Sequence, residues 1–97
     1  MKALRVAIAA AAVTAWHQPL LAASDPPPGA VSCSGCHSTG TASSSIPRLY
    51  GRDAGDIAKA MAGFRDGSLP ATVMNRIAKG FTDEESRAIA AWLAAQK

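Results

Sequence analysis

Cys33-Ser34-Gly35-Cys36-His37 is the stretch on which the reading of this chain turns. Two thiols stand three residues apart, and an imidazole follows the second directly. The spacing C-x-x-C-H is a c-type haem attachment pattern. Each thiol adds to one of the two vinyl groups of the haem, forming two thioethers. The two intervening residues match the sulfur separation to the vinyls, and the next residue, His37, is held beneath the iron as an axial ligand.

Three other readings of the same residues fare worse. A disulfide between Cys33 and Cys36 accounts for the thiols but leaves His37 without a role. A thioredoxin-like motif requires a βαβ setting, and no segment alternates as a strand does. A structural zinc site requires four ligands. Once the leader is set aside, the chain offers Cys33, Cys36 and His37 only.

The leader is the stretch MKALRVAIAAAAVTAWHQPLLAAS. Lys2 and Arg5 open it, an apolar run from Val6 to Val13 follows, and the small residues Ala22, Ala23 and Ser24 close it. That is the layout of a secretory signal. Residues 1–23 are therefore expected to be a signal peptide, cut somewhere in 22–24, and residues 24–97 a single domain exported to the periplasm. The apolar run is shorter than the roughly 20 residues a spanning helix needs, so no membrane span is expected after cleavage. The formal net charge is +3, and Lys2 and Arg5 supply two of those charges. What remains has no basic stripe and no aromatic interleaving, which argues against nucleic acid as a partner. The remainder is short and alanine-rich, with Tyr50, Phe64, Phe81 and Trp92 as its aromatics. So small a chain rarely builds a sufficient core alone. A haem supplies apolar surface that the chain does not encode.

Working outward, Ser24–Pro28 is proline-rich and expected to be extended. A short helix ending near the two cysteines fits Gly29 to His37. Ser38 to Ser45 reads as polar loop, and Ile46-Pro47-Arg48-Leu49-Tyr50-Gly51 as a turn with three apolar anchors. A helix is expected over Asp53–Arg65. Ile57, Met61 and Phe64 share one face, Asp53 or Asp56 caps the start, and Gly67 and Pro70 end it. Leu69 to Lys79 is less regular. Thr82 and Glu85 form a capping box for a last helix from Asp83 to about Ala95, whose buried stripe is expected to be Ala88, Ile89, Trp92 and Leu93. The fold class expected is all-α.

The sixth iron ligand is narrowed by elimination. His17 leaves with the leader, so no second histidine remains, and the methionines left are Met61 and Met74. Met61 sits on the apolar face of a helix beside Ile57 and Phe64, where packing is the simpler role. Met74 follows a proline-containing loop that can aim it at a cofactor, and it is the preferred ligand. A His/Met pair raises the reduction potential. It also leaves no open iron site, which favours electron transfer over peroxide or gas chemistry. Tyr50 and Trp92 are candidates for haem-wall contacts or for ordinary core, and core is favoured for Trp92. Arg48 and Arg52 carry guanidinium forks that fit haem propionates, or else lie exposed in a loop.

Together these features resemble class I c-type cytochromes over the whole of residues 24–97. The motif at Cys33–His37, the Ile46–Gly51 loop, Met74 and the Thr82–Leu93 helix carry the likeness. It implies a small all-α globule of a few short helices wrapped around one covalent haem, with Met74 at the methionine-ligand position. The runs Phe64-Arg65-Asp66-Gly67 and Thr72 through Glu85 are more specific. They are similar to the cytochrome subunit of flavocytochrome c sulfide dehydrogenases. That resemblance implies a periplasmic FAD-containing partner subunit that oxidises sulfide, and a soluble protein that accepts the electrons. Many members of that family carry two haem domains, whereas this chain has one C-x-x-C-H. Many place glycine after the haem histidine, where this chain has Ser38. The competing reading is a free-standing monohaem carrier serving an oxidase or another dehydrogenase.

Overall fold

Local capping signals set the two long helices. The computed structural model describes residues 25–40 and 45–97; the leader and its cleavage site lie outside them, as does part of the Ser38–Ser45 loop. Helix α1 is Ala30–Cys33, α2 is Ala54–Asp66, α3 is Met74–Ile77 and α4 is Asp83–Ala94, with a 3-10 turn at Ala78–Gly80 between the last two. Among the described residues there is no strand, in line with the expected all-α class.

Helix α2 starts where its side-chain cap sits. The carboxylate of Asp53 accepts from the Asp56 N–H at 3.0 Å, so Asp53 is the cap and the helix begins one residue later than expected. It ends at Gly67, which takes φ 86°. The Gly67 and Leu69 N–H groups both donate to the Gly63 carbonyl, at 3.1 and 3.0 Å, satisfying an otherwise orphaned helix-end acceptor. Helix α4 opens on the capping box read from the sequence. The Glu85 N–H donates to Thr82 Oγ1 and the Thr82 N–H to Glu85 Oε1, both at 3.1 Å.

The core joins α1, α2 and α4. Ala30, Ile57, Ile89, Ala90 and Leu93 form one buried cluster, with Leu49, Tyr50, Phe81 and Trp92 packed against it half-buried. The inward stripe of α4 differs from the expected one. Ser86, Ile89, Ala90 and Leu93 are buried, Trp92 is half-buried and Ala88 is exposed. Alanine carries no preference between faces, so the register of Ala88 and Ala90 was decided by the neighbours, not by the residue type.

Helix α1 is only four residues long, and its start is a close approach. Gly29 takes φ 87°, and a Cβ there would fall 2.7 Å from Phe81 Cε1. The loop at Ile46–Gly51 is tied to α4 by the Gly51 N–H donating to the Leu93 carbonyl at 3.1 Å. Two of its three expected anchors, Leu49 and Tyr50, pack on the core, while Ile46 is 40% exposed. Among the described residues no helix is long and apolar enough to cross a membrane.

Candidate functional site

The last turn of α1 presents both thiols and the imidazole within one loop of backbone. The Cys36 and His37 N–H groups both donate to the Cys33 carbonyl, at 3.3 and 2.9 Å, closing a tight turn around Ser34 and Gly35. Cys33 is half-buried and Cys36 exposed, and both are free thiols. Burial pushes the Cys33 thiol above its ordinary range, and its backbone hydrogen bond opposes that only partly.

His37 is oriented from a distant part of the chain. Its Nδ1 lies 2.6 Å from the Pro47 carbonyl oxygen. A carbonyl only accepts, so Nδ1 carries the proton and donates. The lone pair is thereby left on Nε2, the nitrogen free to bind a metal, and a hydrogen bond of this kind fixes the ring and its tautomer.

A cavity of about 380 Å³ lies beside this turn. All four α-helices contribute to its wall. Ser32, Cys33, Cys36 and His37 come from α1 and its turn, and Leu49 from the loop. Ile57 and Met61 belong to α2, Met74 and Ile77 to α3, and Phe81 precedes α4, which adds Ser86, Ile89 and Leu93. The four residues nominated from sequence as a set, Cys33, Cys36, His37 and Met74, thus converge on one space. Met61, read mainly as packing, lines it as well. Ser86, 6% exposed, brings a hydroxyl that sequence reasoning missed; nothing but the fold marks it.

Two sequence candidates sit elsewhere. Tyr50 and Trp92 do not line the cavity. They pack edge-to-face on each other, with ring centroids 6.0 Å apart and an interplanar angle of 85°, a favourable aromatic geometry. Core is thus the role the structure gives them. Arg48 is half-buried, and its Nε is buried with no hydrogen-bond partner among the described residues; Asn75 Oδ1 is in the same condition. Arg52 is exposed. Among the described residues no three His, Cys, Asp or Glu side chains gather into a group that could hold a metal ion.

A second hollow of about 440 Å³ runs along the outside of α2, lined by Asp56, Lys59, Gly63, Asp66 and Leu69 among others. It shares no residue with the first.

A helical globule closed around a thiol–thiol–imidazole turn and a methionine-bearing cavity resembles the small all-α c-type cytochromes. The particular resemblance is narrower. Over 61 residues the chain is 49% identical to the cytochrome subunit of sulfide dehydrogenase from Chlorobaculum tepidum, covering 62% of this chain and 56% of that protein. Over 71 residues it is 41% identical to a thiosulfate dehydrogenase electron acceptor from Stutzerimonas stutzeri, covering 70% of this chain and 33% of that protein. The chain thus spans a little over half of the first relative and a third of the second. No family model matches the chain, and no solved structure does.

Proposed function

We propose that this chain is an electron-transfer cytochrome of the periplasm, exported by its N-terminal signal, and not itself an enzyme. One haem c is attached through Cys33 and Cys36, with His37 and Met74 as axial ligands. The observation that carries the reading is the convergence of those four side chains on one largely apolar cavity from separate segments of the chain. The donor chemistry suits the group. There are two free thiols in one turn, an imidazole with Nε2 unprotonated, and thioether sulfur on α2 and α3. The buried Nε of Arg48, without a partner among the described residues, suits a carboxylate, such as a haem propionate, since a buried N–H donor left without an acceptor is costly. When bound, the haem supplies one-electron oxidation and reduction at its iron. The chain's own part is to fix the group through two thiols, to orient the imidazole through Pro47, and to wall the iron from water with Leu49, Ile57, Phe81, Ile89 and Leu93.

The partner in this reading is an FAD-containing sulfide dehydrogenase subunit, with a soluble protein as the next acceptor. The 49% identity to a cytochrome subunit of sulfide dehydrogenase supports it. The relative named as an electron acceptor of thiosulfate dehydrogenase favours a second reading, a free-standing carrier for another dehydrogenase. Protein purified gently from its native host separates them. The proposal expects haem that survives acid–organic extraction, a co-purifying flavin, and reduction of the haem on addition of sulfide. Covalent haem with no flavin and no response to sulfide would leave the free-standing carrier. Extractable haem, or none, in a host with haem-attachment machinery would overturn both.

A further inference from the structure

We propose that Met61 is a reserve axial ligand, a second thioether in the same cavity that replaces Met74 when the short α3 segment lets it go. The inference rests on the haem reading above and goes beyond it.

Met61 and Met74 line one cavity together with His37, but they are held very differently. Met74 is the first residue of a four-residue helix with no side-chain cap and no buried residue. Val73 just before it and Ile77 at its end are exposed, at 57% and 42%, and the first buried anchor after it is Ala78, 1% exposed, in the following 3-10 turn. One helical turn has almost no stability of its own, because nucleation costs more than one hydrogen bond returns. Segments with few buried contacts open most readily. Met61 lies in the middle of α2, a helix of 13 residues capped by Asp53 and Gly67 and anchored on the core through Ile57. When α3 moves, α2 stays.

The cavity wall holds few rivals for the vacated place. Apart from His37, the two thiols and the two methionines, the only heteroatom side chains among the described residues that line it are Ser32 and Ser86, and hydroxyls are poor partners for an iron already bound by imidazole. Thioether sulfur suits it better, and methionine's three rotatable bonds give it reach. A reserve thioether keeps the iron closed to small molecules while α3 is open.

The bland alternative is that Met61 only fills space. Leucine is nearly equal to methionine in volume and is well tolerated in its place, so Met→Leu variants separate the two without leaving a hole. The readouts are the near-red charge-transfer band of thioether-bound ferric haem and the reduction potential. Wild type, Met61→Leu, Met74→Leu and the double variant are compared. The proposal expects the band in both single variants and its loss, with a fall in potential, in the double variant only. Loss of the band in Met74→Leu would overturn it, while leaving the proposed function intact. Loss in Met61→Leu alone would make Met61 the sole ligand, overturning both the reserve role and the assignment of Met74. Absence of covalent haem from all four proteins would remove the haem reading and this proposal with it.

Discussion

Substituting Gly29 with alanine tests how tightly the start of α1 is clamped against the cavity wall. Gly29 holds φ 87°, where an L side chain costs about 1–2 kcal/mol from its own backbone. Its Cβ would also meet the Phe81 ring, 2.7 Å from Cε1 and 3.1 Å from Cζ. Phe81 is half-buried against the core, so the ring gives way only by disturbing its neighbours, an overpacking cost of about 1–3 kcal/mol. The sum is roughly 2–5 kcal/mol, a large share of the roughly 5–15 kcal/mol that typical domains possess. Urea unfolding followed by circular dichroism measures it. Because Phe81 also lines the cavity, the visible spectrum should shift in the same variant. Phe81→Leu removes the ring atoms that clash. In that background Gly29→Ala should cost only the backbone part, about 1–2 kcal/mol. A cost below about 0.5 kcal/mol in the wild-type background, within the range of neutral surface changes, would refute the reasoning. An undiminished cost in the Phe81→Leu background would refute the clash while sparing the backbone argument.

Four further outcomes are expected. Thr82→Ala removes the oxygen that receives the Glu85 N–H and should lower stability by about 1 kcal/mol in the same unfolding assay, with Thr82→Ser recovering most of it. Leu93→Ala hollows a site 2% exposed and should cost about 2–5 kcal/mol; a loss under about 1 kcal/mol would mean that the core collapses to fill the gap. The Arg65–Asp83 ion pair at 3.1 Å joins two largely exposed side chains, so Arg65→Ala should change stability by less than about 1 kcal/mol. In protein prepared without haem, exposed Cys36 should react with iodoacetamide before Cys33 at neutral pH. The Cys33 thiol is raised by burial, so its thiolate, the reactive form, appears only as pH rises beyond the ordinary thiol range; mass spectrometry showing Cys33 labelled first would contradict this.

Much of the site could be read before any fold was known, because its parts are neighbours in the chain. Cys33, Cys36 and His37 lie within one turn, so their spacing alone brings them together. The caps at Asp53 and Thr82 were legible for the same reason: each acts on an N–H three residues away. Met74 apart, what depended on segments far apart was not legible. Pattern alone put Ala88 rather than Ala90 on the inner face of α4, named Tyr50 as a possible cavity wall, and gave Ile46 an anchoring role. In the folded chain Ala90 is buried and Ala88 exposed, Tyr50 packs on Trp92, and Ile46 is left at the surface.

The sequence by itself determined the chemistry available: two thiols and an imidazole at attachment spacing, two methionines, and helices whose ends are written in capping residues and glycines. Only the tertiary structure decided which of these meet. It brought the Pro47 carbonyl to His37 Nδ1 across ten residues, left Arg48 Nε without a partner among the described residues, and placed both Met61 and Met74 on the wall of one cavity. Capping and motif spacing act over three or four residues of covalent chain. Burial and cavity lining arise from apolar surfaces that meet only when α1, α2 and α4 pack, and no local signal encodes that meeting.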